Sequence, residues 1–147
     1  MRVFLDTNVL ASAAATRGLC ADVLREVLAS HELLISAQVL GELKRVLRIK
    51  FGLPHDLIDD FMSLLNQDTV LAKPGATPLV QIKDEDDLPI LSAAVSGGAD
   101  VFVTGDNELL GIRQVEEVVI LSPREFWEKL TAQPQRRAGR GKPRRSR

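Results

Sequence analysis

Cys20 is the only cysteine in the 147 residues, which excludes an intrachain disulfide. It lies in "LCADVLREVL", on a helical pattern where a packed thiol is expected. The sequence supplies neither the base nor the orienting group that a cysteine nucleophile needs. The two histidines, His31 and His55, are isolated, so the Cys and His donors that a zinc site favours are lacking. No apolar run approaches the ~20 residues that cross a bilayer. "MRVFLD" reaches an acid too early for a signal peptide, and a cytoplasmic protein is the expectation. No glycine-rich loop follows the first strand pattern, which argues against a nucleotide-binding Rossmann domain.

What is present suits one compact domain with a sizeable core: 45% apolar and 27% charged residues, both ordinary for a globular chain. The formal net charge of -1 conceals an asymmetry. Of the 19 Lys and Arg, seven fall in residues 131–147, "TAQPQRRAGRGKPRRSR", which contain no acid. Residues 1–130 therefore hold 12 bases against 20 acids, a net of -8. An acidic domain over 1–130 is followed by a basic tail over 131–147, whose Arg, Gly and Pro content predicts disorder.

Along the domain, strand and helix patterns alternate. Residues 2–5 read as a buried strand, and Val23, Leu24, Val27 and Leu28 recur at helical spacing. Leu33 to Ile35 give a second strand. Ser36 can then cap a long helix with Val39, Leu40, Leu43, Val46 and Leu47 on one stripe, broken by Gly52 and Pro54. Leu57, Ile58, Phe61, Met62 and Leu65 mark another helix, and "TVLA" a third strand. Pro89 is tolerated only in a first turn, so a helix starts near Asp86 or Asp87, and Gly97 and Gly98 end it. "VFV" is a strand buried on both faces, and "VVIL" is the last strand. Ser122, Pro123 and Glu125 form a helix-start signature. The alternation predicts an α/β layered domain with a mainly parallel sheet, in which ligands bind outside the carboxyl ends of the strands.

That rule gives meaning to the carboxylates. Asp6 follows "VFL" and Asp106 follows "VFVTG", both at carboxyl ends of parallel strands. Glu42 borders the apolar stripe of its helix between Val39 and Val46, and Asp87 is in phase with Ile90 and Leu91. Taken singly, each has a structural role open to it: Asp6 as a cap, Thr7 and Asn8 as turn formers, Glu42 as a solvated helix edge, Asp84 to Asp87 as a helix N-terminus, Asp106 as a turn residue. The conjunction at strand ends favours a shared site. Crowded carboxylates repel, and a divalent cation relieves this; hard oxygen donors suit Mg²⁺ or Mn²⁺. Such ions can activate water and stabilise the leaving oxygen of a phosphodiester.

"FLDTNVL", "SAQVLGELKRVL", "DEDDLPILSAAVSGGADVFVTGDNELL" and "ILSPREFWEKL", in that order over residues 2 to 130, resemble the PIN domain family, and most closely its branch of toxins from toxin–antitoxin pairs, akin to VapC-type ribonucleases. The resemblance implies an α/β/α sandwich around a mainly parallel sheet and Mg²⁺- or Mn²⁺-dependent endoribonuclease activity. It places the family's acidic quartet on Asp6, Glu42, Asp87 and Asp106, and its supporting polar residues on Thr7, Asn8 and Thr104. Asp86 adjoins Asp87, and either could reach the site; the phase with Ile90 and Leu91 favours Asp87. Glu108 stands where many relatives have Asp. On this reading Asp6, Asp87 and Asp106 hold the metal, Glu42 is a ligand or a base, and water attacks without a covalent intermediate. The partners implied are an RNA substrate, an antitoxin protein that masks the acids, and a second copy of the chain, with no membrane.

Basic residues able to meet RNA are Arg17, in the "ATRG" loop after the first strand, and Lys44, Arg45, Arg48 and Lys50, whose alternative is a solvated helix face. The tail could hold RNA or contact the acidic domain. A phosphotransferase using Asp6 as nucleophile fits poorly, because its usual second acid two positions on is here Asn8. A PIN-like module that binds RNA or protein without cutting is the other alternative, and the intact quartet argues against it.

Overall fold

In the computed structural model, residues 1–132 apart from 68, 77 and 79 are described. The basic tail assigned to 131–147 therefore lies almost wholly outside the described residues. Strand β1 (Arg2–Leu5) buries Val3, Phe4 and Leu5 completely and runs straight into helix α1 (Thr7–Ala15). Helix α2 (Leu19–Ser30) leads to β2 (Glu32–Ser36), and α3 (Ala37–Ile49) and α4 (His55–Gln67) lead to β3 (Thr69–Ala72). Helix α5 (Asp87–Ser96) precedes β4 (Val101–Val103), and α6 (Asn107–Ile112) precedes the short β5 (Gln114–Val115), β6 (Val118–Leu121) and the closing α7 (Pro123–Thr131).

The strands form one sheet in the order β3-β2-β1-β4-β6-β5, parallel throughout except for β5, which pairs antiparallel with β6. The chain thus builds outward from β1 on one side, then crosses to β4 on the other. Right-handed crossovers in opposite directions put helices on opposite faces. Accordingly α1 packs on α2 and α3, α3 on α4, and α2 on α7, whereas α5 lies against β2 and β3 and α6 against β6. This is the expected α/β architecture with a mainly parallel central sheet between helical layers. The reversal of direction falls between β1 and β4, and in open α/β sheets a crevice opens there at the carboxyl ends of the strands.

Local signals account for most elements. The Ser36 hydroxyl accepts from the Val39 N–H and starts α3. Ser122 and Glu125 close a reciprocal capping box with Pro123 at the start of α7. Gly98, at φ 75°, ends α5 in the left-handed conformation that glycine adopts without strain. Three elements escaped the sequence reading: α1, α6 and β5. The helix α1 includes Thr7 and Asn8, for which turn-forming was one role open in sequence, and Arg17 follows that helix and not the strand directly. It is masked in sequence because "TNVLASAAA" is small and apolar with little polar contrast between its faces. The strand β5 has only two residues and no pattern to read.

Gly97 is where α5 leans on β3. A Cβ there would stand 2.9 Å from the Ala72 Cβ and 3.0 Å from the Ala93 carbonyl oxygen, and neither is the flexible end of a side chain. Gly97→Ala should therefore cost about 1–3 kcal/mol in chemical denaturation, the usual range for overpacking. A loss below ~0.5 kcal/mol, the scale of an unremarkable surface substitution, would show that the contact yields easily.

Candidate metal and nuclease site

The site starts from backbone geometry. The Asp6 N–H donates to the Val103 carbonyl at 3.0 Å, continuing the β1–β4 ladder one residue past the last pair, Leu5 with Val103. Asp6 is then both the residue that β1 delivers to the sheet edge and the N-cap of α1. The cap and the chemical reading of this residue are compatible. Its Oδ1 accepts from the Thr7 N–H at 2.8 Å, and its Oδ2 accepts from the Thr104 hydroxyl at 2.8 Å. Thr104, fully buried after β4, also accepts from the Asp106 N–H at 3.1 Å. One hydroxyl thereby links the acids at the ends of two neighbouring strands.

Asp106 caps α6: its Oδ1 accepts from the N–H groups of Glu108 and Leu109 at 2.8 and 3.4 Å. Glu42, half-buried on α3, is held at both oxygens: Oε1 accepts from the Thr7 hydroxyl at 2.9 Å and Oε2 from the Gln38 side-chain amide at 3.0 Å. The same Gln38 nitrogen donates to the Asp86 carbonyl at 3.0 Å, tying α3 to the start of α5. Both partners are acceptors, so the amide nitrogen must face them. The Asp87 side chain makes no hydrogen bond among the described residues.

These residues line one cleft of about 460 Å³, bounded by Asp6, Thr7, Asn8, Glu42, Asp84, Asp87, Gly105 and Asp106, and by Arg45, Val46 and Lys50 along α3. All four acids of the quartet reach it, and so do Thr7 and Asn8; Thr104 stands behind Asp6. Of the adjacent pair, Asp87 lines the cleft, whereas Asp86 is exposed and contributes its carbonyl to Gln38. Glu108 does not line it; its Oε2 accepts from the Lys83 N–H at 3.0 Å and anchors the loop before α5. Arg17, Lys44 and Arg48 also lie off the cleft. Gln38 and Asp84 were missed. Gln38 has a signal in retrospect, standing one helical turn before Glu42; Asp84 has none, since it belongs to a continuous acidic run.

Crowding of acids shows in their electrostatics. Burial pushes the Asp6 carboxyl up; its bonds from Thr104 and Thr7 oppose this, and the charges of Glu42 and Asp106 add to it. Asp87 is pushed from 3.8 to about 6, first by burial and then by Asp6, Asp84, Asp106 and Glu42. A native group that binds protons more tightly than the unfolded chain makes the protein more stable as pH falls. Between about 6 and 3.8 the protein without divalent cations should therefore gain stability at Asp87 on acidification. In a dry site that shift is worth ~3 kcal/mol, and water in the open cleft screens it to about 1 kcal/mol. Asp87→Asn should raise stability by about 1 kcal/mol at pH ~7 and by much less at pH ~4. Urea titrations in chelator at both pH values check this; identical pH dependence in the two proteins would refute it.

The donor set suits a hard divalent cation: carboxylates in excess, no Cys or His lining, and two acids already raised by burial and by neighbouring carboxylates. Among the described residues, however, no three such donors converge closely enough to hold an ion by themselves. A small cation that keeps several of its waters and takes one or two carboxylates fits that spacing. Among the described residues no helix is long and apolar enough to cross a membrane.

Comparison with known proteins agrees with the fold. The family model described as "PIN domain" matches residues 2–108, the span from β1 to the first turn of α6. A chain in the crystal structure of VapBC2 from Rickettsia felis, bound to a DNA fragment from their promoter, superposes with a TM-score of 0.60 at 16% identity, covering 83% of this chain and 98% of that one. No curated protein matches the sequence.

Proposed function

Given that the chain belongs to the PIN domain family, we propose that it is a Mg²⁺- or Mn²⁺-dependent endoribonuclease that hydrolyses RNA phosphodiester bonds, and the toxin of a toxin–antitoxin pair. The observation that carries this reading is the single cleft at the β1–β4 reversal, into which Asp6, Glu42, Asp87 and Asp106 all project.

Asp6, Asp87 and Asp106 would hold the cation together with the waters it keeps, some of the three through those waters, and when bound it supplies water activation and stabilises charge on the leaving oxygen. The rest of the work falls to this chain's side chains. Thr104 and the Thr7 N–H fix the orientation of Asp6 before substrate arrives. Thr7 and Gln38 hold Glu42 as a positioning residue between α1 and α3. Among the described residues, both oxygens of Asp87, Oδ2 of Asp106 and Oδ2 of Asp84 accept no hydrogen bond, which leaves them able to orient a water and accept its proton during in-line attack. Asn8, exposed on the cleft wall, would bind the water or the phosphate.

The structural similarity to a VapBC2 chain supports an antitoxin partner. The inhibitory contact would be a basic side chain inserted among the acids. Apolar Ile49, Leu57 and Leu64, exposed along α3 and α4, support self-association into a homodimer. The test is cleavage of a mixed RNA pool by the purified protein with Mg²⁺, with Mn²⁺ and with chelator. Metal-dependent cutting is expected. No cutting in any condition, with no heat of metal binding, would favour the module that binds without cleaving.

A further inference from the structure

Four bases sit on or just after α3, but only two face the acids. Arg45 and Lys50 line the cleft, whereas Lys44 and Arg48 do not. Helix geometry gives the reason. At ~100° per residue, Arg45 lies ~60° around the axis to one side of Glu42 and Lys50 ~80° to the other, while Arg48 lies ~120° and Lys44 ~160° away. Arg48 has another role, since it complements the carboxyl end of α3 in its last turn. Neither Arg45 nor Lys50 forms an ion pair among the described residues, although five acids line the same cleft. Lys50 is steadied by the Phe51 ring, with its Nζ 5.7 Å from the centroid. The wall of the cleft is thus divided into an acidic part at the strand ends and a basic part along the second half of α3.

The acidic part cannot attract RNA by itself. Residues 1–130 carry a net charge of -8, and binding to a nucleic-acid backbone depends on neutralising phosphates. Among the described residues, the cations that line the cleft beside the carboxylates are Arg45 and Lys50. They are ~7.5 Å apart along the helix axis and flank Glu42 on either side, so one strand lying across α3 within the cleft meets them in succession.

We propose, resting on the ribonuclease reading, that Arg45 and Lys50 form the phosphate-binding track that seats the RNA strand beside the scissile bond. Arg45, one turn from Glu42, takes the phosphate nearer the acids, and Lys50 the one beyond it. The track holds backbone and not bases, so it sets position and affinity without choosing sequence.

The experiment compares two full-chain double variants with the same change in charge: R45Q/K50Q, which strips the track, and K44Q/R48Q, which strips the outer face of the helix. Binding of a fluorescent single-stranded RNA is measured by anisotropy in chelator across a range of salt. Cleavage is then followed with Mg²⁺. R45Q/K50Q should weaken binding roughly tenfold and reduce the salt slope by about 1.4, from ~0.7 per lost single-strand phosphate contact. It should raise KM with little change in kcat. K44Q/R48Q should change affinity by less than about twofold, on the scale of an exposed charge. Equal losses in both doubles would overturn the track, and so would wild-type protein that binds no RNA. A difference between the doubles in binding, with no cutting by any of the proteins, would keep the track and remove the nuclease. Cutting with identical KM in all of them would do the reverse.

Discussion

Asp6→Asn should abolish RNA cleavage, by roughly 10³-fold or more, which corresponds to ~4 kcal/mol of transition-state stabilisation. The fold should survive it. Asparagine has the same shape, and its carbonyl oxygen can still accept from the Thr7 N–H, which keeps the cap of α1. What changes is charge and one acceptor. The amide nitrogen cannot accept from the Thr104 hydroxyl, so that hydroxyl must turn, at a cost of about 1 kcal/mol. Against this, the variant removes a carboxyl whose charged form is disfavoured by burial and by Glu42 and Asp106. The two effects oppose each other, and thermal stability in chelator should stay within ~1 kcal/mol of wild type. Rates with Mg²⁺ beside melting curves give the readout. Cleavage within tenfold of wild type would take Asp6 out of the mechanism, and a collapsed melting curve would mean that its role is structural.

Phe102→Ala should produce the largest loss of stability. Phe4 and Phe102 are registered partners on β1 and β4, fully buried, with ring centroids 5.3 Å apart and planes within 9°. They lie two and four residues before Asp6 and Asp106, on the strands that deliver those acids. Truncation removes a whole ring and leaves a cavity that stiff parallel strands cannot close, which typically costs 3–5 kcal/mol. In a domain whose total stability is ~5–15 kcal/mol, that should lower Tm by roughly 10–20 °C. Chemical denaturation measures it directly. A loss below ~1 kcal/mol would mean that the sheet relaxes around the gap. Phe102→Leu, which refills much of the volume, should recover more than half of the loss.

The alternation of buried strands and amphipathic helices was legible in the residues themselves, because it depends on periodicity along a local stretch. So were the caps at Ser36 and Ser122 and the stop at Gly97 and Gly98, since each satisfies backbone groups only a few residues away. The acids at the ends of β1 and β4 stood out because an α/β sheet has a functional edge that can be named before it is seen. The helices α1 and α6 did not stand out. The first begins at Asp6, whose side chain serves cap and cleft together, and the second has only six residues.

Other decisions required the chain to close on itself. Asp86 and Asp87 are neighbours with the same chemistry; the phase with Ile90 and Leu91 already favoured Asp87, and the packing of α5 brought it to the cleft while Gln38 took the carbonyl of Asp86. Arg45 and Lys50 were separated from Lys44 and Arg48 only when Glu42 met Thr7 across α1 and α3 and set the rotation of the helix. Sequence alone thus determined which residue types this protein brings to the carboxyl edge of its sheet. Tertiary structure decided which of them face one another, because orientation about a helix axis is set by packing against distant elements and not by neighbours in the chain.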